Sequence, residues 1–232
     1  MQAIVERKRR HGPLPYDPPP LENGARLTAR EFLRRYEAMP DLKKAELIAG
    51  IVYMPPPVSA DHSEPDNLIQ TWLGTYAAAT PGVRCYTNTT VLLGPRNTPQ
   101  PDACLCVKPG RGGQTRFNEK NYLVGAPELI AEVAATSASL DLGDKLEAYA
   151  MAGVREYVVW RTLEAGIDWF KIEDAEYVAV RPDARGLIRS GVFPGLILDV
   201  NALLTMKSAT VLAVLRRGLA STAHRTFTAR LR

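Results

Sequence analysis

The chain has 232 residues, 46% of them hydrophobic and 23% charged, with a formal net charge of +4. That is ordinary for a soluble globular protein and enough for one large core. No run approaches the roughly 20 apolar residues that span a bilayer, and no long apolar stretch follows the basic start at Met1–Arg10, so neither a membrane span nor a secretory signal is expected.

Three cysteines, Cys85, Cys104 and Cys106, lack the spacing of a disulfide framework and point to a reducing, cytoplasmic compartment. Two ligands are too few for zinc, so the Cys104-x-Cys106 pair reads as buried thiols on one side of a strand. Positive charge gathers at the ends, in Arg7, Lys8, Arg9 and Arg10 and in Lys207, Arg216, Arg217, Arg225, Arg230 and Arg232. Both clusters read first as solvated tails, and they permit contact with nucleic acid without requiring it.

In chain order, residues 1–25 are rich in proline and charge and read as an extended arm. Thr28 caps a short helix over 31–39, with Glu31 completing a capping box and Pro40 closing it. Residues 46–54 form a hairpin about Ala49-Gly50. Leu68, Ile69, Trp72, Leu73 and Tyr76 mark the apolar face of a helix over 65–80, preceded by His62. Strands are expected over 83–93 and 101–107, then a glycine-rich basic loop over 108–118. Residues 128–134 form a buried strand. A helix over 141–152 follows, N-capped by Asp141 and closed by Gly153. The remaining elements are a strand over 155–160, a hairpin about 173–176, an apolar stretch over 191–200, a helix over 209–219 and a frayed basic end. One α/β domain over 26–205, followed by a basic helix and tail over 206–232, is the simplest account. Helices are too few to alternate with every strand, so the β-sheet is mixed and flanked by helices.

No nucleophile elbow or phosphate-binding glycine loop is present, and His11, His62 and His224 are scattered. The carboxylates are more informative. Glu132 interrupts an apolar run, where a lone ionised carboxylate is costly to bury. Asp102 follows Pro101 at the start of another strand. On neighbouring strands the two reach one edge of the sheet, an oxygen-rich site suited to Mg²⁺ or Mn²⁺. Lys145 leans over that site from the next helix, and Glu46 adds an acidic group from the hairpin. The plainer alternatives are a buried basic partner for Glu132 and a turn hydrogen bond for Asp102. His62 is expected to make a helix-end hydrogen bond. Tyr149 is expected to pack, with its hydroxyl able to orient Lys145 or a carboxylate. Lys108, Arg111, Arg116 and Lys120 form either a phosphate-contacting flap or a solvated loop.

Pro101-Asp102, Glu132-Val133-Ala134 and Lys145-x-x-x-Tyr149 together resemble the PD-(D/E)xK nuclease superfamily. The closer resemblance is to the Uma-type family of restriction-endonuclease-like proteins. That pattern also includes Glu46 to Gly50, Met54 to Pro57 with His62, and the helix-to-strand join from Tyr149 through Gly153 to Glu156-Tyr157. The likeness runs from about Leu27 to Leu198. It implies a restriction-endonuclease-like core in which Asp102 and Glu132 bind the divalent metal and Glu46 assists. It also implies a phosphodiesterase acting on DNA, with a homodimer expected by analogy. The superfamily lysine position is Ala134 here, and Lys145 is expected to substitute from the helix. The turn at Ala135-Thr136-Ser137 and the strand end at Trp160-Arg161 also depart from the family pattern. Against the enzyme stands a nuclease fold that binds nucleic acid or a protein partner without catalysis. The missing nucleophile motif argues against a third reading, an unrelated α/β hydrolase.

Overall fold

The computed structural model describes residues 18–56 and 59–231. The expected arm therefore lies outside the described residues as far as residue 17. Beyond it, Leu21 is buried against the first helix, and the Gly24 amide bonds to the Val52 carbonyl.

Helix α1 (Ala29–Glu37) is capped by Thr28, whose hydroxyl accepts from the Glu31 amide. The Glu31 carboxylate pairs with Arg34 and Arg35. Strands β1 (Glu46–Ile48) and β2 (Ile51–Tyr53) form the expected hairpin, with Ala49 and Gly50 both at positive φ, as a tight two-residue turn requires. Phe32, Ala45, Leu47 and Val52 close a small core between helix and hairpin. Helix α2 (Ala60–Ala79) begins before Pro65, so His62 lies inside its first turns instead of ahead of it.

Strand β3 (Val83–Thr87) and the short β4 (Val91–Leu92) replace the single expected run, because Asn88 turns the chain at positive φ. Then come β5 (Ala103–Val107), β6 (Arg116–Phe117), β7 (Leu123–Val124) and β8 (Leu129–Ala134). The helix expected over 141–152 is two pieces, α3 (Ala138–Asp141) and α4 (Asp144–Ala152). Gly143 separates them in a non-helical conformation where a Cβ would come within 2.7 Å of the Ser139 carbonyl oxygen. Asp141 is accordingly not an N-cap but a buried residue at the end of α3. Gly153 closes α4 in the left-handed conformation, as expected. The chain continues through β9 (Glu156–Arg161), β10 (Gly166–Glu173), β11 (Glu176–Ala179), β12 (Leu187–Arg189) and β13 (Ile197–Asp199). It ends in α5 (Val200–Leu204), α6 (Ser208–Leu219) and α7 (Thr222–Arg230). The last helix stands where the sequence pointed to a frayed end; Ser221 caps it, and Phe227 buries its inner face.

The main sheet has the order β11-β10-β9-β8-β5-β3. It is antiparallel except for β8 and β9, which are parallel and joined over the sheet by α3 and α4. Alternation along the central strands divides the core. Ala103, Leu105, Leu129, Ala131 and Val133 face α2, α6 and α7. Cys104, Cys106, Ile130 and Ala134 face Tyr149 of α4. This is the mixed sheet flanked by helices that the sequence implied. No helix among the described residues is long and apolar enough to cross a membrane.

Candidate functional site

The antiparallel register of β5 and β8 pairs Ala103 with Ala131, which sets Asp102 opposite Glu132. Both follow the alternation of Cys104 and Ala134 and so lie on the α4 face of the sheet. The Asp102 amide donates to Glu132 Oε2 at 3.3 Å, and Asp102 Oδ2 accepts from the Val133 amide at 2.9 Å. The two carboxylates meet through backbone register as well as through side chains.

Lys145, in the first turn of α4, projects into this corner. Its Nζ lies 3.0 Å from Glu132 Oε1, 3.1 Å from Glu46 Oε2 and 3.3 Å from Asp141 Oδ1. Tyr149, one turn further along, donates its hydroxyl to Glu132 Oε1 at 2.8 Å. Glu46 also accepts from the Gln100 amide at 2.7 Å, which ties the hairpin to the segment leading into Asp102. Ser137, in the turn that departs from the family pattern, donates to Asp141 Oδ2 at 2.6 Å.

Two participants carry no sequence signal as strong as that of Glu132. Asp141 is one. Lys44 is the other; its Nζ lies 2.9 Å from Asp102 Oδ1 and 3.4 Å from Asn88 Oδ1. Lys44 sits in an unremarkable polar stretch, and only its place two residues before Glu46 hints at the role. A fifth carboxylate, Asp66 of α2, feels the charges of Asp102, His62 and Lys44, and its Oδ1 is buried without a hydrogen-bond partner.

Electrostatics follow from burial and crowding. Burial pushes the Glu132 carboxyl up to about 8; Lys145 opposes this, while Asp102, Asp141 and Glu46 reinforce it. Burial and neighbouring Glu46 raise Asp141 too, against Lys145 and Ser137. Burial alone would raise Asp102, but Lys44 and the Val133 amide hold it below the usual carboxylate range. Burial would discharge Lys145, yet Glu132, Glu46 and Asp141 keep it firmly protonated.

The four basic loop residues do not join this site. From Asp102, just ahead of β5, to Val107 at its end is about 17 Å at the rise of a strand, so Lys108 and Arg111 lie at the opposite end of β5. There Glu128 pins the loop by accepting from the Val107 and Gln114 amides at 2.8 and 2.9 Å. Arg116 is exposed in β6, and Lys120 pairs with Glu37 of α1. These four residues are spread along the return path of the chain.

The Uma2 family model, described as a putative restriction endonuclease, matches residues 29–201. The chain is also similar to a crystal structure from Anabaena variabilis ATCC 29413, described as a putative nuclease belonging to DUF820. The TM-score is 0.57 at 14% identity, over 75% of this chain and 97% of that one. At that identity the likeness is one of fold. No curated protein matches the chain. The family model covers most of the chain, including every carboxylate and lysine that meets at the sheet edge, and the chain belongs to the Uma2 family of putative restriction endonucleases.

Proposed function

We propose that this protein is a divalent-metal-dependent endonuclease that hydrolyses DNA phosphodiester bonds. The observation that carries this reading is the convergence of Glu46, Asp102, Glu132 and Lys145, from separate stretches of chain, on one buried corner of the sheet. Family membership and the nuclease-like fold support it.

Carboxylate oxygens are the right donors for Mg²⁺ or Mn²⁺, and the unpartnered Asp66 oxygen beside them adds to the local demand for positive charge. As the side chains stand, no group of three acidic, histidine or cysteine residues among the described residues is arranged around a metal position. The carboxylates are turned to Lys44 and Lys145 instead. Asp102 and Glu132 would hold the ion, with Glu46 assisting; bound there, it would supply positive charge to the scissile phosphate and acidify water. Lys145 and the Tyr149 hydroxyl fix the orientation of Glu132, and Lys145 favours its ionised form. The Val133 amide fixes Asp102 so that Oδ1 faces Lys44. Glu46 acts through Lys145 and through the Gln100 amide, and Asp141 acts through Lys145. His62, one turn before Asp66, serves in a supporting position. Lys108, Arg111, Arg116 and Lys120 serve as distal phosphate contacts, away from the reacting centre, and a homodimer would allow both strands to be cut.

The test is nicking of supercoiled plasmid with Mg²⁺ or Mn²⁺ against an EDTA control. Nicking lost in both Asp102→Ala and Glu132→Ala supports the assignment; nicking that survives both places the activity elsewhere. Lys145→Ala should reduce the rate by about 100-fold or more, the scale of losing one preorganised electrostatic partner. A second reading, a nuclease fold that binds nucleic acid or a partner protein without catalysis, is favoured by the lysines that already neutralise the carboxylates. Calorimetry that detects no Mn²⁺ binding would select it.

A further inference from the structure

The two lysines of the site are held very differently. Lys145 has a side chain only 4% exposed and three carboxylate partners. Lys44 lies at the rim with its side chain 26% exposed, one ion pair and a longer contact to Asn88. It precedes β1 in a stretch without helix or strand, so no regular element fixes its direction. Its partner atom is Asp102 Oδ1. The other Asp102 oxygen is committed to the Val133 amide, a backbone group that cannot move without breaking the register of β8. Oδ1 is therefore the Asp102 oxygen open to an incoming cation, and Lys44 already covers it.

We infer that Lys44 is a displaceable counter-cation, holding Asp102 Oδ1 until a divalent ion takes the same atom. The inference rests on the metal-site reading of Asp102 given above. An ammonium and a divalent cation cannot share one carboxylate oxygen without strong repulsion, so entry of one requires departure of the other. The partial exposure of Lys44 at the rim permits departure, whereas the enclosed Lys145 stays. In the absence of the ion the pair spares the cost of an uncompensated buried carboxylate. Lys44 thereby sets the threshold of metal binding as well as the resting stability of the site.

The test is calorimetric titration of Mn²⁺ into the full chain, stripped with EDTA and dialysed, at one fixed pH. Lys44→Met keeps the apolar stem and removes the charge; Lys44→Arg keeps the charge. Lys44→Met should bind Mn²⁺ roughly tenfold or more tightly than wild type, since no ion pair at Oδ1 has to be broken before the ion enters. Lys44→Arg should bind no more tightly than wild type. If Lys44→Met unfolds in EDTA, its melting temperature in Mn²⁺ gives the second reading: a larger metal-induced rise than in wild type supports the inference, and an equal or smaller rise overturns it. Unchanged or weaker affinity in Lys44→Met overturns the inference while leaving the metal site intact, as does equal tightening in Lys44→Arg. Absence of Mn²⁺ binding in wild type and variants alike overturns both the inference and the metal-site reading.

Discussion

At the scale of single residues, the site is a crowd of charges in which each group depends on its neighbours. Glu132 has its carboxyl raised towards about 8 in the folded chain. A carboxyl raised on folding binds its proton more tightly in the native state. The resulting stabilisation is complete below the ordinary glutamate range and is lost as pH climbs through about 8. Glutamine cannot ionise, so in EDTA the melting temperature of Glu132→Gln minus that of wild type should become steadily more positive between pH 5 and 8.5. A flat difference would show that Glu132 is not the group that ionises there. Lys145→Ala leaves three buried carboxylates without their shared cation and should cost about 3–5 kcal/mol in urea unfolding. Glu132 was legible in the sequence because a carboxylate inside an apolar run has few innocent explanations. Lys44 was not: it pairs with a residue 58 positions away, and a lysine in a polar stretch usually points to water.

At the scale of elements, glycine positions decide where helices stop and how closely they pack. Gly153 closes α4 at φ 83°, and a Cβ there would meet nothing within 4 Å. Gly153→Ala should therefore cost only the left-handed conformation, about 1–2 kcal/mol by chemical denaturation. Gly218 is the opposite case, since its Cβ would fall 2.1 Å from the Gly195 carbonyl oxygen. Gly218→Ala must push α6 away from the turn before β13, and a loss of about 3 kcal/mol is expected in the same measurement. The hairpin at Ala49-Gly50, the cap at Thr28 and the stop at Gly153 were readable because each is a local device. The break at Gly143 was not, because the local pattern continues through it and only the backbone conformation at Gly143, where a Cβ would crowd the Ser139 carbonyl, separates α3 from α4. That break moves Asp141 from a helix cap into the site, where Lys145 reaches it.

At the scale of the whole molecule, the C-terminal helices belong to the core. Val211, Leu215, Phe227 and Leu231 pack with α2 and the sheet face opposite Tyr149. Phe227→Ala should lower stability by about 3 kcal/mol. Removing residues 206–232 should expose this face and yield a chain that aggregates or binds a hydrophobic dye; light scattering and dye fluorescence would check it. A shortened chain that melts like the full one would show the helices to be dispensable. The sequence by itself determined the mixed α/β class, most element positions and the family likeness, and it singled out Asp102, Glu132, Lys145 and Glu46 as candidates, because periodicity, caps and misplaced carboxylates act over a few residues. Only the tertiary structure decided which charges meet. The β5–β8 register sets Asp102 against Glu132, the α3–α4 crossover brings Lys145 and Asp141 to them, and the approach of the first hairpin delivers Lys44. The same geometry starts the basic loop, at Lys108 and Arg111, from the end of β5 away from Asp102. Such pairings depend on strand order and register, which residues distant in the chain settle together.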